Sequence, residues 1–214
     1  MMTKYFKTLL YAVALAAFSP AKAGSYEDFF SAIRNDNAST LETLLARGFD
    51  PNTRDPKGQL GLTMALQEGS PKAARLLIGR PDADLNALNN AGESPLMMAA
   101  LKGDLPGAQL LLERGAKVNQ PGWSALHYAA TGPEPKIVQL LLQRGAEIDT
   151  LSPNDTTPLM MAAQYGTEES VSLLLARGAS ASRANQKNMR AVDFARLSGR
   201  QPLIKMLERA IQPR

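Results

Sequence analysis

The chain has 214 residues, with 24 Lys and Arg against 20 Asp and Glu, a single histidine and no cysteine. That inventory argues against a zinc or transition-metal centre of ordinary ligand composition and rules out a disulfide framework. Residues 1–23 hold Lys4, Lys7 and Lys22 and no acid, so the remainder carries 21 basic and 20 acidic residues, a near-neutral balance with no electrostatic footprint for nucleic acid or an anionic membrane.

The first predicted element is a leader. Lys4 and Lys7 precede the uncharged stretch Thr8 to Ala21, whose apolar heart runs from Leu9 to Phe18. Ala21-Lys22-Ala23 then precedes Gly24. A positive start, a short apolar run and a small-x-small end describe a signal peptide, residues 1–23, cleaved after Ala23. The run is too short for the roughly 20 residues that cross a bilayer, so no membrane insertion is expected after cleavage. No cysteine follows it to carry a lipid. The mature chain, residues 24–214, is therefore expected outside the cytoplasm, in a bacterial periplasm, with secretion beyond the cell as the alternative. Without disulfides it must hold together by packing alone.

From Ser25 onward a leucine-rich stretch closes six times on nearly the same words. The closing arginines are Arg47, Arg80, Arg114, Arg144, Arg177 and Arg209. A recurrence of about 33 residues means one supersecondary unit copied in tandem, so a solenoid is predicted. The repeats fall near 25–54, 55–88, 89–121, 122–151, 152–184 and 185–214. Four are internal, and the first and last, which carry Phe29-Phe30-Ser31-Ala32 and Ala191-Val192-Asp193-Phe194-Ala195, read as caps.

Each repeat reads as two short helices. The first opens on a polar cap followed by a small or proline residue: Ser94-Pro95-Leu96-Met97-Met98-Ala99-Ala100, Ser124-Ala125-Leu126-His127-Tyr128-Ala129-Ala130 and Thr157-Pro158-Leu159-Met160-Met161-Ala162-Ala163. Paired alanines let neighbouring repeats approach, and the methionines fill the core. Gly69, Gly103 and Gly166 fall where the first helix should end in a left-handed cap. The second helix spaces its apolar residues helically, as in Ala108, Leu111 and Leu112, and ends at Gly48, Gly115, Gly145 or Gly178. The connection Val118–Trp123 is three residues short of its counterparts.

These segments resemble the ankyrin-repeat family, whose Thr-Pro-Leu-His-x-Ala-Ala signature and Leu-Leu-x-x-Gly-Ala-x-h-Asn ending stand at Leu111–Asn119 and Leu141–Asp149 as well as at the first helices quoted above. The resemblance covers Ser25 to Arg209. It implies an all-α solenoid of about six helix-turn-helix repeats, with loops or hairpins projecting at right angles. A concave face formed by hairpin tips and first helices would be free for a protein partner, and nothing in the resemblance names that partner.

Chemistry is hard to assemble. His127 stands at the signature histidine and is expected to bond loop backbone beside Ser124. No phosphate loop or nucleophile triad appears. Glu27-Asp28 and Glu168-Glu169 are read as helix-start carboxylates favoured by the dipole. No catalytic residue, cofactor or metal is expected, and the protein reads as a monomeric, non-enzymatic binder of another protein. Carrying the family's exposed positions over gives a largely apolar stripe: Leu88, Leu101, Trp123, Leu151, Tyr165, Met189 and Leu197. Polar neighbours are Arg54, Gln59, Glu93, Lys102, Thr156 and Gln164. An apolar stripe on a face with no structural need for it suits a partner. For Trp123 a second reading stands beside this one, that its ring covers the gap left by the shortened connection.

Overall fold

The structure, a computed structural model, describes residues 20–212; the expected leader lies almost wholly outside them. Twelve helices and no strand form among the described residues: α1 (Pro20–Arg34), α2 (Ala38–Ala46), α3 (Gly61–Glu68), α4 (Pro71–Gly79), α5 (Pro95–Lys102), α6 (Leu105–Glu113), α7 (Ala125–Thr131), α8 (Pro135–Gln143), α9 (Pro158–Tyr165), α10 (Glu168–Ala176), α11 (Ala191–Leu197) and α12 (Gln201–Ile211). Odd-numbered helices pack on one another in chain order, and even-numbered helices do the same. Six helical hairpins thus stack in two rows, as the sequence predicts.

One continuous core runs along the stack. Phe29, Leu41, Leu77, Leu96, Leu111, Leu126, Leu141, Leu159, Leu174 and Leu207 are buried within it. The paired alanines Ala99/Ala100, Ala129/Ala130 and Ala162/Ala163 are buried between first helices. Their small side chains set the distance between repeats, so enlarging one must push a neighbour away. Ala99→Leu or Ala162→Leu is expected to cost about 1–3 kcal/mol, read as a lowered denaturation midpoint. A midpoint equal to wild type would mean that these positions are not close-packed.

The caps form with one addition. Ser94 Oγ accepts the Met97 N–H and Thr157 Oγ1 accepts the Met160 N–H, both at 3.3 Å. In return the sulfurs of Met97 and Met160 accept the N–H of Ser94 and Thr157 at 3.4 Å. The methionines therefore help to cap their helices as well as filling the core. Second helices end at glycines with φ of 86°, 91°, 84° and 94° at Gly48, Gly115, Gly145 and Gly178.

Three expectations are corrected. Gly69 and Gly103 are left-handed, but Gly166 is extended, with φ −80° and ψ −171°. Its reason for being glycine is steric: a Cβ there would lie 2.0 Å from the Ala130 carbonyl oxygen, backbone of the preceding repeat. Glu27 and Asp28 do not start a helix, because α1 begins at Pro20; Glu168 and Glu169 do open α10. Thr156 is buried, not exposed with the polar neighbours.

Asn and Asp side chains stitch successive repeats. Asn52 accepts the Asp84 N–H and donates to the Asp82 carbonyl; Asn119 accepts the Glu147 N–H and donates to the Gly145 carbonyl. Asn86 and Asp149 accept the N–H groups of Lys117 and Ser180. The Asn or Asp at the end of each of the first four repeats is thus a backbone clamp on the next one, satisfying groups that the loop would otherwise leave unpaired.

Candidate binding face

The connecting loops end in a common tip. Backbone N–H groups of Asp55, Asn89, Ser152 and Asn185 donate to the carbonyls of Gln59, Glu93, Thr156 and Met189, four residues on. The shortened connection cannot form that pair. There the Gln120 side-chain amide donates to the Trp123 carbonyl at 3.1 Å, standing in for the missing backbone. This substitution holds Trp123 at the entrance to α7.

The Trp123 ring meets His127 edge-on, with centroids 5.2 Å apart and planes at 74°. His127 is fully buried and doubly bonded. Its Nε2 donates to the Thr156 carbonyl of the next repeat at 2.9 Å, and its Nδ1 accepts from the Ser124 N–H at 3.2 Å and pairs with Ser124 Oγ at 3.0 Å. A carbonyl can only accept, so the ring is the neutral Nε2–H tautomer. Burial lowers its pKa to about 4, against which the Thr156 bond works. The expected structural role of this histidine is thereby met, and Thr156 is buried because its carbonyl serves that bond.

Above this cluster, Leu101 of α5, Trp123, His127, Tyr128 and Thr131 of α7 and Met161 of α9 enclose a depression of about 260 Å³ on the first-helix row. Its walls are mostly apolar. Tyr128 spends its hydroxyl on Glu93 Oε1 at 3.0 Å, and burial first, then Glu93, raises the phenol well above its ordinary range. Thr131 donates to the His127 carbonyl. Tyr165 follows Met161 by one helical turn on α9, so both lie on one face.

The expected stripe is divided among three settings. Leu101 and Trp123 line the apolar depression, half-buried. Leu88, Tyr165 and Leu197 are exposed, at 43%, 60% and 67%. Leu151 lies on the far side of the shortened loop, in a wider, polar notch with Asn119, Gln120, Pro121, Gly122, Glu147, Asp149, Thr150 and Arg183. Met189 is half-buried at the last tip, and Lys102 is exposed at the end of α5. Glu93 is half-buried and held by Asn89 as well as Tyr128. Arg54 donates to the carbonyls of Gly58 and Leu88, tying neighbouring tips. Sequence reasoning missed Tyr128, Thr131 and Met161 as lining residues: Met161 reads with the core methionines, Tyr128 stands at the signature's unspecified position and Thr131 follows the signature.

Among the described residues no group of His, Asp and Glu has the arrangement of a metal site, and no helix is long and apolar enough to cross a membrane.

The family described as "Ankyrin repeats (3 copies)" matches residues 29–122, 81–152 and 126–213. The chain is 32% identical over 155 residues to the nuclear factor NF-kappa-B p105 subunit of Gallus gallus, covering 69% of this chain and 16% of that protein. It is 25% identical over 159 residues to the transient receptor potential cation channel subfamily A member 1 of Homo sapiens, covering 69% of this chain and 14% of the channel subunit. The chain thus spans about a sixth of these relatives. A chain in the solved complex of the predatory endopeptidase Bd0816 from Bdellovibrio bacteriovorus with the immunity protein Bd3460 shares the fold, with a TM-score of 0.73 at 23% identity, covering 85% of this chain and 97% of that one. Period, caps, inter-repeat clamps and these matches agree: the chain belongs to the ankyrin-repeat family.

Proposed function

We propose that this chain is an exported, non-enzymatic module that grips one protein through the face formed by its first helices and hairpin tips. The observation that carries this reading is the apolar depression between Leu101, Trp123, Tyr128 and Met161, continued by exposed Tyr165. A stack that needed only stability would not leave Trp, Tyr and Leu half-open in one place, and aromatic anchors in such recesses dominate binding energy. Export to a bacterial periplasm follows from the leader-like residues 1–23. The similar chain from a complex between an endopeptidase and an immunity protein supports a role of that kind, the binding of an enzyme by an immunity protein.

Affinity capture from periplasmic extract tests the reading, using wild type and a Trp123→Ala/Tyr165→Ala double variant. The expected result is loss of one captured protein, about a hundredfold or more in affinity if both residues are anchors. An unchanged set of captured proteins would remove this face as the binding surface. Fractionation places the chain: recovery in the culture medium alone would favour the secreted alternative.

A further inference from the structure

Charge is distributed unevenly along the stack. Residues 24–182 carry 13 basic and 18 acidic side chains, whereas residues 183–214 carry eight basic and two acidic ones. In the last repeat some of this excess is used internally. Arg196 pairs with Asp193 and Glu208, and Arg200 donates to the carbonyls of Ala162 and Ala163. Lys187 and Arg190 are exposed and their side chains pair with no acid among the described residues, whereas Arg183 shares the notch of Glu147 and Asp149. Lys187 and Arg190 flank Met189 at the sixth tip, in the row of tips to which the Trp123 loop also belongs.

The depression itself has a defined chemistry. Tyr128 and Thr131 have spent their hydroxyls within the chain. The Trp123 indole N–H has no acceptor among the described residues, although its carbonyl is bonded by Gln120. An apolar side chain seated there would leave its own backbone carbonyl free to accept that N–H. Of the carboxylates in the repeats that carry the depression and the sixth tip, Glu93 is held by Asn89 and Tyr128, and Asp193 by Arg196 and the Arg190 N–H. Asp155 stands at the fifth tip, between the depression and the basic sixth tip.

We propose that the bound part of the partner is a bipartite segment: an aliphatic or aromatic anchor in the Leu101–Trp123–Tyr128–Met161 depression, and an acidic run on Lys187 and Arg190. This rests on the proposed binding face and adds the chemistry of what it holds. Stacked helices lie about 10 Å apart, so two repeats separate the sites by roughly 20 Å, about six extended residues. The spacer passes Asp155 and is uncharged or basic there. The anchor supplies affinity, and the acidic run sets orientation and association rate.

The test uses the full chain and a displayed library of random peptides of roughly 16 residues, long enough to span both sites. Trp123 is the only tryptophan in the chain, so its emission reports on the depression directly. The expected result is enriched peptides sharing an apolar anchor about six residues from an acidic run, with binding that shifts Trp123 emission. Lys187→Glu/Arg190→Glu should weaken those peptides about tenfold at low salt and little at high salt, with the emission shift at saturation retained. Leu101→Ser should weaken them at every salt concentration. Enriched peptides without acidic bias, or unaffected by the charge reversal, would overturn the bipartite segment and leave the binding face standing. Peptides that bind without changing Trp123 emission and ignore Leu101→Ser would overturn both, as would failure of any peptide to enrich.

Discussion

Replacing Gly166 by alanine is expected to destabilise the stack more than any other single methyl group added to it. The new Cβ would lie 2.0 Å from the Ala130 oxygen and 3.0 Å from the Ala162 Cα, both of them backbone atoms that cannot rotate away. Relief requires repeats four and five to separate, and that opens the row in which Ala130, Ala162 and Ala163 are buried. A cost of about 3–5 kcal/mol follows, at the upper end of overpacking effects. For a chain of this size that is a fall of roughly 10 °C in the unfolding midpoint. Gly178→Ala is the comparison. Its φ of 94° is strained for alanine, but no atom lies within 4 Å of the added Cβ, so about 1–2 kcal/mol is expected. Calorimetry on both variants separates the two causes, and equal losses would show that crowding between repeats is not what fixes Gly166.

The second large effect is a loss of stability in mild acid that belongs to His127. In the folded chain its pKa is about 4, against an ordinary value of 6.5. Between those values the unfolded chain binds a proton that the folded chain refuses, so stability rises with pH across that window. It is fully present above about 6.5 and is lost as pH falls toward 4, by about 3 kcal/mol in all at 1.36 kcal/mol per unit. The cause is local: protonated Nδ1 would point an N–H at the Ser124 N–H in a site closed to water. His127→Met removes the titration and imitates Met97 and Met160, whose sulfurs accept the same kind of N–H. It also removes one of the two donors to the Thr156 carbonyl, which keeps the Ser152 N–H, so about 1 kcal/mol is lost at neutral pH. Chemical denaturation from pH 7 to pH 4 should show the wild-type decline and a flatter curve for the variant. Parallel curves would move the acid sensitivity elsewhere.

Much of the architecture was legible because a repeat states its rule several times. Ser94 and Thr157 cap as read, and Gly48, Gly115, Gly145 and Gly178 end their helices as read, since these are local effects of side-chain chemistry and backbone freedom. What escaped was set between repeats. A glycine after a helix usually has a left-handed φ, so the sequence predicts one at Gly166, and nothing local reveals the carbonyl of Ala130 against it. Thr156 was placed on the open face by its position in the loop, but its carbonyl is held by a histidine 29 residues earlier.

The binding face was legible only in outline. Tyr165 and Leu197 were identified from their late first-helix positions and are exposed there. Tyr128 and Met161 stand at the position the signature leaves unspecified, so the sequence does not single them out, and both keep part of their surface on the depression. The shortened connection gives Trp123 its place, through Gln120, and its ring forms a wall of the depression. Leu151 follows the same spacing logic but lines the notch with the shortened loop, Gln120–Gly122, and not the depression.

Radical footprinting of side chains, with and without the captured protein, tests the binding face most directly, since Trp, Tyr and Met react readily and are well placed along the stack. Protection at Trp123, Met161 and Tyr165 is predicted, with Met206 on α12 unchanged. Protection at Met206 and along the second helices, with Trp123 and Tyr165 as reactive as before, would contradict it.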